Sequence, residues 1–126
     1  MGYLVDSNVL IDYVANRFTK GQLKSLDIIF DEALRISVIT KIELLGYNSD
    51  EAEEAKMLQF LRYSNIIPLT EDLVERTITI KKAIKIKTPD AIIAATALVN
   101  DFTLITNNTS DFKRIAQLKL FNPYDL

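Results

Sequence analysis

The stretch that decides the fold is Thr88-Pro89-Asp90 followed by Ala91–Val99, in the C-terminal half of the chain. Ala91–Val99 is apolar nearly all round a helix and rich in alanine, which is typical of a buried helix packed closely against a sheet. Pro89 suits the first helical position, with Thr88 as the cap and Asp90 in the first turn. These residues therefore predict an interior helix that begins with an acid.

Short runs rich in β-branched residues predict strands on both sides of this helix. Amphipathic helical patterns separate them, one from Leu23 to Ala33 and another from Leu73 to Ile84. Strands that alternate with helices build right-handed βαβ units. We therefore expect an α/β fold with a central parallel sheet of about four or five short strands and helices on both faces. The predicted strands span residues 3–5, 35–39, 65–69, 103–106 and 119–121.

Composition limits the possible chemistry. The 126 residues, 48% of them hydrophobic, predict one domain over residues 1–126. The sequence contains no His and no Cys, which excludes a Ser-His-Asp triad, a thiol nucleophile and a zinc site of nitrogen and sulfur ligands. Three glycines cannot form a phosphate-binding loop. An enzyme with this composition has to work with carboxylates.

The charge balance and hydropathy concern location and partners. A net charge of -2 argues against wholesale electrostatic binding to nucleic acid. No run of about 18 apolar residues predicts a membrane span, and the start of the chain does not resemble a secretory signal. We expect a cytoplasmic protein with no membrane association.

Acidic residues follow the predicted strands, where ligands bind in open parallel sheets. Asp6 follows the first strand, Glu43 the second and Asp111 the fourth, while Asp90 opens the interior helix. Because the carboxyl ends of parallel strands meet at one edge, we expect these four carboxylates to lie close together. Carboxylates in such a cluster repel one another unless a cation neutralises them. The all-oxygen set favours Mg²⁺ or Mn²⁺, and such an ion points to a phosphate or phosphodiester substrate.

Each acid also has a purely structural interpretation as part of a helix start. Asp6 or Ser7 suits an N-cap, and Thr40 with Glu43 matches the capping box, in which the Glu side chain reaches back to the cap. Asp90 and Asp111 suit the first turns of their helices. Capping explains each site singly but does not explain why all four converge.

Four motifs in this order resemble the PIN-domain ribonuclease family, and most of all its small VapC-type toxins. The match covers nearly the whole chain, and the motifs that carry it are Tyr3–Ile11, Ser37–Leu45, Thr88–Ala97 and Leu104–Phe112. The resemblance implies cleavage of RNA with Mg²⁺ or Mn²⁺ by a metal-activated water, a homodimer, and inhibition by a cognate antitoxin protein.

Carried over by position, the resemblance assigns catalytic and metal-binding roles to Asp6, Glu43, Asp90 and Asp111. Either Asn108 or Asp111 completes the site. Supporting roles fall to Asn8, Thr40, Thr106 and Asn108.

Basic residues just before Asp90 offer a second functional hypothesis. Lys82, Lys85 and Lys87 place positive charge beside the predicted acidic edge, where they would hold an RNA backbone. A solvated helix face whose late lysines complement the helix dipole is the alternative.

Two other classes of protein remain open. One is a PIN-like binding module without catalysis. The other is a phosphoacceptor receiver domain, which needs an acid at the end of the third strand. That position is occupied by Thr70, with Glu71 and Asp72 in the first turn of the next predicted helix.

Overall fold

The chain alternates strands and helices throughout the described part. A computed structural model describes residues 2–46 and 48–126. Its strands are β1 Tyr3–Val5, β2 Arg35–Ser37, β3 Asn65–Ile67, β4 Thr103–Ile105 and β5 Lys119–Phe121. Its helices are α1 Ser7–Val14, α2 Lys20–Glu32, α3 Val38–Gly46, α4 Glu51–Leu61, α5 Glu71–Ala83, α6 Thr88–Val99 and α7 Thr109–Phe112, and a 3₁₀ turn follows at Pro123–Asp125.

All strand pairs are parallel, as predicted. One ladder has the order β1-β4-β5 and the other joins β2 to β3, with β1 lying next to β2. The chain therefore runs outward from β1 through β2 to β3 and returns to the other side of β1 for β4. Such a change of direction opens a crevice at the carboxyl ends of the central strands.

Neighbouring residues of the central strands point to opposite faces of the sheet. Val5 and Ile105 pack into a core beneath α1 to α4, whereas Leu4 and Leu104 pack into a second core beneath α5, α6 and α7. All four side chains are almost completely buried. The α/β class with helices on both faces is thus confirmed.

Three predicted strands end earlier than expected. β2 stops at Ser37 because its hydroxyl accepts a hydrogen bond from the Ile39 N–H (3.1 Å) and α3 begins at once. β3 stops before Pro68, which has no N–H to offer a ladder. β4 stops before Thr106, which turns its hydroxyl toward Asp6.

Two predicted helix starts were wrong. The capping box of Thr40 and Glu43 is absent from the described helix, because α3 already begins at Val38 and Thr40 lies inside it. Helix α6 has Lys87, not Thr88, at its N-cap position. The Thr88 hydroxyl instead accepts a hydrogen bond from the Lys81 ammonium at 2.8 Å. By contrast, Asp6 and Thr70 cap α1 and α5 as expected.

Helix α6 is the buried helix that its composition predicted. Every residue from Ala91 to Ala97 is buried, and α6 packs against α5, α3 and β4. The one hydroxyl in this stretch, on Thr96, donates to the Ile92 carbonyl at 2.7 Å, so its burial leaves no donor unsatisfied. Within residues 2–46 and 48–126, no helix has the length and apolarity needed to cross a bilayer.

Replacing Ala94 by Leu should destabilise the fold, because the Ala94 side chain has 0% exposure and enlarging it overpacks the interior. Overpacking of this kind costs about 1–3 kcal/mol of unfolding free energy. Urea unfolding followed by circular dichroism measures the effect, with Ala55→Leu on the exposed side of α4 as the matched control. Equal urea midpoints for Ala94→Leu and Ala55→Leu would contradict the tight packing around Ala94.

Candidate metal centre

Asp6 is a buried carboxylate fixed at the end of β1. Its side chain is 4% exposed. Oδ1 accepts a hydrogen bond from the Ser7 N–H (2.8 Å), and Oδ2 accepts from Asn8 Nδ2 (3.1 Å) and Thr106 Oγ1 (2.8 Å). Burial raises the pKa of Asp6, and the Thr106 hydrogen bond is the strongest of the contacts that oppose this rise. Asp6 is therefore both the helix cap and a strongly held acid.

The loop after β4 continues this hydrogen-bond network. Thr106 Oγ1 accepts from the Asn108 N–H at 3.0 Å, and Asn108 Nδ2 donates to Asp111 Oδ2 at 3.0 Å. A chain of contacts thus connects Asp6 through Thr106 and Asn108 to Asp111. In this arrangement the amide of Asn108 orients Asp111, which is the role of a supporting residue.

The network also reaches the start of α1. The N–H of Asn107 donates to the side-chain oxygen of Asn8 at 3.4 Å, and the amide nitrogen of Asn8 donates to Asp6. Asn8 therefore joins the ends of β1 and β4.

Glu43 approaches this edge from α3. Its side chain is exposed, yet partial burial and then the negative charge of Asp6 raise its pKa, with a smaller contribution from Asp90. The Ser7 hydroxyl opposes that rise. One turn earlier, Thr40 is fully buried, and its Oγ1 has no hydrogen-bond partner among the described residues.

Asp90 lies in the first turn of α6 and is partly buried. Burial is the main cause that raises its pKa, followed by the charges of Asp6 and Asp111, while the ammonium of Lys87 opposes the rise. The pKa of Asp90 is therefore affected by the charges of both Asp6 and Asp111. The carboxylates repel one another, as the strand topology predicted.

The four acidic side chains lie at one edge of the sheet but do not form a closed set of metal ligands. Within the described residues, no three acidic side chains are grouped tightly enough to hold an ion by themselves. The acids are close enough to contribute to one another's raised pKa. Three hydrogen bonds fix Asp6 and Asn108 orients Asp111, while Glu43 is exposed and Asp90 is partly buried.

The donor chemistry fits a hard divalent cation. Every side chain at this edge that is suited to bind a metal offers oxygen, and Mg²⁺ is usually bound through one or two carboxylates with water completing its shell. A cation there would remove the repulsion that raises the pKa of Glu43 and Asp90. Such a site needs few protein ligands, so the open arrangement is compatible with it.

Basic side chains border the same edge. An open depression of about 570 Å³ is lined by Lys85, Lys87, Asp90, Asp111 and Arg114, together with the apolar Ile86. Lys82 lies elsewhere and lines an apolar groove between α5 and α6. Sequence reasoning missed Arg114, which lies in the turn directly after α7, although its position three residues after Asp111 would have been a sufficient signal.

Comparison with known proteins agrees with the geometry. A family model described as PIN domain matches residues 3–118. The chain is 31% identical to Ribonuclease VapC1 of Methanocaldococcus jannaschii, covering 93% of this chain and 83% of that protein.

Solved structures give the same result. A toxin-antitoxin complex from Klebsiella pneumoniae matches with a TM-score of 0.78 and 31% identity, covering 99% of this chain and 100% of that one. VapBC2 from Rickettsia felis, bound to a DNA fragment from their promoter, matches with a TM-score of 0.81 and 26% identity, covering 97% and 98%. With its motifs, its strand topology and these likenesses in agreement over almost its full length, the chain belongs to the PIN domain family.

Proposed function

We propose that residues 1–126 form one PIN-like domain that cleaves RNA internally with Mg²⁺ or Mn²⁺, and that the chain is the toxin of a toxin–antitoxin pair. The observation that carries the proposal is the fixed, buried Asp6 beside Asp90 and Glu43, whose charges are coupled to it. The names of the relatives, ribonucleases and toxin-antitoxin complexes, support the same function.

In this proposal Asp6, Glu43, Asp90 and Asp111 would hold the ion. When bound, a divalent ion activates water as a nucleophile and stabilises negative charge on phosphate oxygens. Thr106 and Asn8 hold Asp6 in one orientation through their hydrogen bonds, and Asn108 does the same for Asp111. The unpartnered hydroxyl of Thr40, one turn from Glu43, would hydrogen-bond to a water or carboxylate of the loaded site.

Lys85, Lys87 and Arg114 bind the RNA backbone in this proposal. They line one depression with Asp90 and Asp111, so a phosphate there would meet cations beside the acids. Acidic residues alone would repel an RNA strand. The cations therefore allow substrate to approach the acidic edge.

The partners follow from the related complexes. The matched structure from Klebsiella pneumoniae is described as a toxin-antitoxin complex, which supports a cognate antitoxin for this chain. A homodimer, predicted from the family resemblance, is proposed with it.

Two other classes are less well supported. A receiver domain needs an acid at the end of β3, but Thr70 caps α5 there through the Leu73 N–H. A PIN-like module without catalysis would keep Asp6 as a helix cap but would have no need for Glu43 and Asp90 beside it, where the charge of Asp6 contributes to their raised pKa. An assay of RNA cleavage distinguishes both from a nuclease.

Purified protein should cleave single-stranded RNA with Mg²⁺ or Mn²⁺ and lose this activity in excess EDTA. Attack by a metal-activated water leaves 5′-phosphate and 3′-hydroxyl ends, which end-labelling and mass spectrometry of the products identify. Full activity in EDTA, or products with 2′,3′-cyclic phosphates, would contradict the proposal, because both indicate attack by the ribose 2′-hydroxyl without metal.

The Asp90→Asn variant should lose more than about 100-fold in cleavage rate, beyond the 10–100-fold typical of residues that only support a metal ligand. Asp72→Asn is the matched control, since Asp72 also lies in the first turn of its helix but does not contribute to the raised pKa of Asp6, Glu43 or Asp90. Expression of the wild type or Asp72→Asn should slow growth, and expression of Asp90→Asn should not. Equal activity of the two variants would remove Asp90 from the site.

The same pair of variants tests how the acidic edge affects stability when a chelator removes metal. Because the pKa of Asp90 is raised in the folded state, its charge destabilises the fold above that pKa. In EDTA at neutral pH, Asp90→Asn should therefore be more stable to urea than Asp72→Asn. The advantage should shrink as the pH falls through the raised pKa and vanish below the ordinary value of 3.8. If the difference in stability between the two variants did not depend on pH, the charge of Asp90 would not be the cause of the instability.

Loss of the Asp111 carboxylate should lower the cleavage rate more than loss of the Asn108 amide. Asp111 brings a negative charge to the edge, whereas Asn108 only orients Asp111. We expect Asn108→Ala to lose about 10–100-fold in rate and Asp111→Asn to lose more. Asn107→Ala, which removes an exposed side chain from the same loop, controls for disturbance of the backbone. Rates at saturating Mg²⁺ and circular dichroism decide the order, and a larger loss for Asn108→Ala would reverse the assignment.

A further inference from the structure

We infer that a second groove, beside the acidic edge, binds an unpaired base of single-stranded RNA and so influences which phosphodiester is cleaved. The inference rests on the proposed ribonuclease function and adds a subsite to it. This groove, called the Arg76 groove below, lies between α5, the end of α6 and the turn after α7. It is lined by Arg76, Ile80, Ile84, Leu98, Arg114 and Ile115.

The Arg76 groove is continuous with the acidic edge through one side chain. Arg114 lines both this groove and the depression that contains Asp90 and Asp111. Its Nη2 donates to the carbonyl oxygen of Lys85 at 2.8 Å, which holds the guanidinium between the two depressions. A strand whose phosphate contacts Arg114 would therefore have one neighbouring nucleotide at the acids and another at the groove.

The charges around the groove fit a polyanion. Arg76 lies at the groove as well, so two guanidinium groups border an apolar surface. The ion pairs found among residues 2–46 and 48–126 are Arg17–Asp12 and Lys119–Asp101, which leaves Arg76 and Arg114 without a carboxylate partner there. Guanidinium groups bind phosphates in pairs of hydrogen bonds and stack on bases.

The floor of the groove fits a base better than a protein helix. Ile80 and Ile115 are buried at its base, with Ile84 and Leu98 partly exposed beside them. Its volume of about 310 Å³ is at the small end of the range for small-ligand sites, roughly 300–1,000 Å³. A helix with its side chains is about 10–12 Å wide and would need a longer trough. Single-stranded RNA, in contrast, presents unstacked bases one at a time.

Binding in EDTA separates this subsite from catalysis. The probe is a fluorescein-labelled, unstructured RNA of about 12 nucleotides, and fluorescence anisotropy measures its Kd between about 50 and 200 mM KCl. Arg76→Gln and Arg114→Gln should each weaken binding and reduce the slope of log Kd against log[salt] by about 0.7, the value for one phosphate contact on a single strand. Arg62→Gln, at the end of α4, is the matched control and should change neither quantity.

A second variant tests the base itself. Ala116 is an exposed residue of the groove, so Ala116→Glu blocks the groove without disturbing the core. We expect a loss of affinity of roughly 5–150-fold, which corresponds to one stacked base. Ala55→Glu on α4 controls for the added charge. A probe with abasic sugars should bind the wild type more weakly than the intact RNA, and Ala116→Glu should reduce this difference.

The outcomes are distinct. Arg76→Gln should also raise KM for RNA cleavage without lowering kcat, because Arg76 does not line the acidic depression. If the groove variants bind RNA like their controls while the wild type still cleaves it, the subsite is wrong and the proposed function stands. If RNA binds as described but is not cleaved with Mg²⁺ or Mn²⁺, the subsite stands and the catalytic function is wrong.

Discussion

The site depends on the contact between Asp6 and Thr106, which lie at the ends of the adjacent parallel strands β1 and β4. A carboxylate that is almost completely buried loses most of its hydration, and an uncompensated charge of that kind would destabilise the fold. Three hydrogen bonds replace part of that hydration. The same three hydrogen bonds therefore stabilise the buried carboxylate and fix its orientation.

The rest of the edge is arranged around this contact by the sheet order. Since β4 returns to the side of β1 opposite β2, the residues after both strands meet at one crevice. The chain reaches β4 through α6, whose small side chains let it lie close to the sheet and bring Asp90 to the same edge. The alanines of α6 therefore serve the site as well as the core. A bulkier helix would move its own first turn, and the acid within it, away from Asp6.

Much of this could be predicted from the sequence, for reasons that differ between residues. Asp6, Asp90 and the burial of α6 follow from short-range patterns that the tertiary structure reinforces, because the strand, the cap and the apolar helix all favour the same arrangement. The capping box of Thr40 and Glu43 failed because Ser37, three residues earlier, offers a competing hydroxyl, and the strand ends there. Thr88 failed as a cap for a similar reason, since its hydroxyl is used by Lys81 from the preceding helix. Such a contact between α5 and α6 cannot be predicted from the spacing of residues within either helix.

The basic residues also differ in how far local sequence patterns predict their positions. Lys85 and Lys87 could be placed near Asp90 because they lie just before it in the sequence. Arg114 instead reaches the depression from the turn after α7, and its contact with Lys85 spans 29 residues. In the described chain these cations border the acids without forming ion pairs with them. Paired to Asp90, a lysine would neutralise the negative charge that a divalent cation requires. Held apart, the acids remain available to a cation and the bases to a phosphate. Burial first, and then repulsion from Asp6, raise the pKa of Asp90 and of Glu43, so both charges cost stability in the folded state. This is the cost expected of a site arranged for binding rather than for stability, because a bound divalent cation would bring the positive charge that relieves the repulsion.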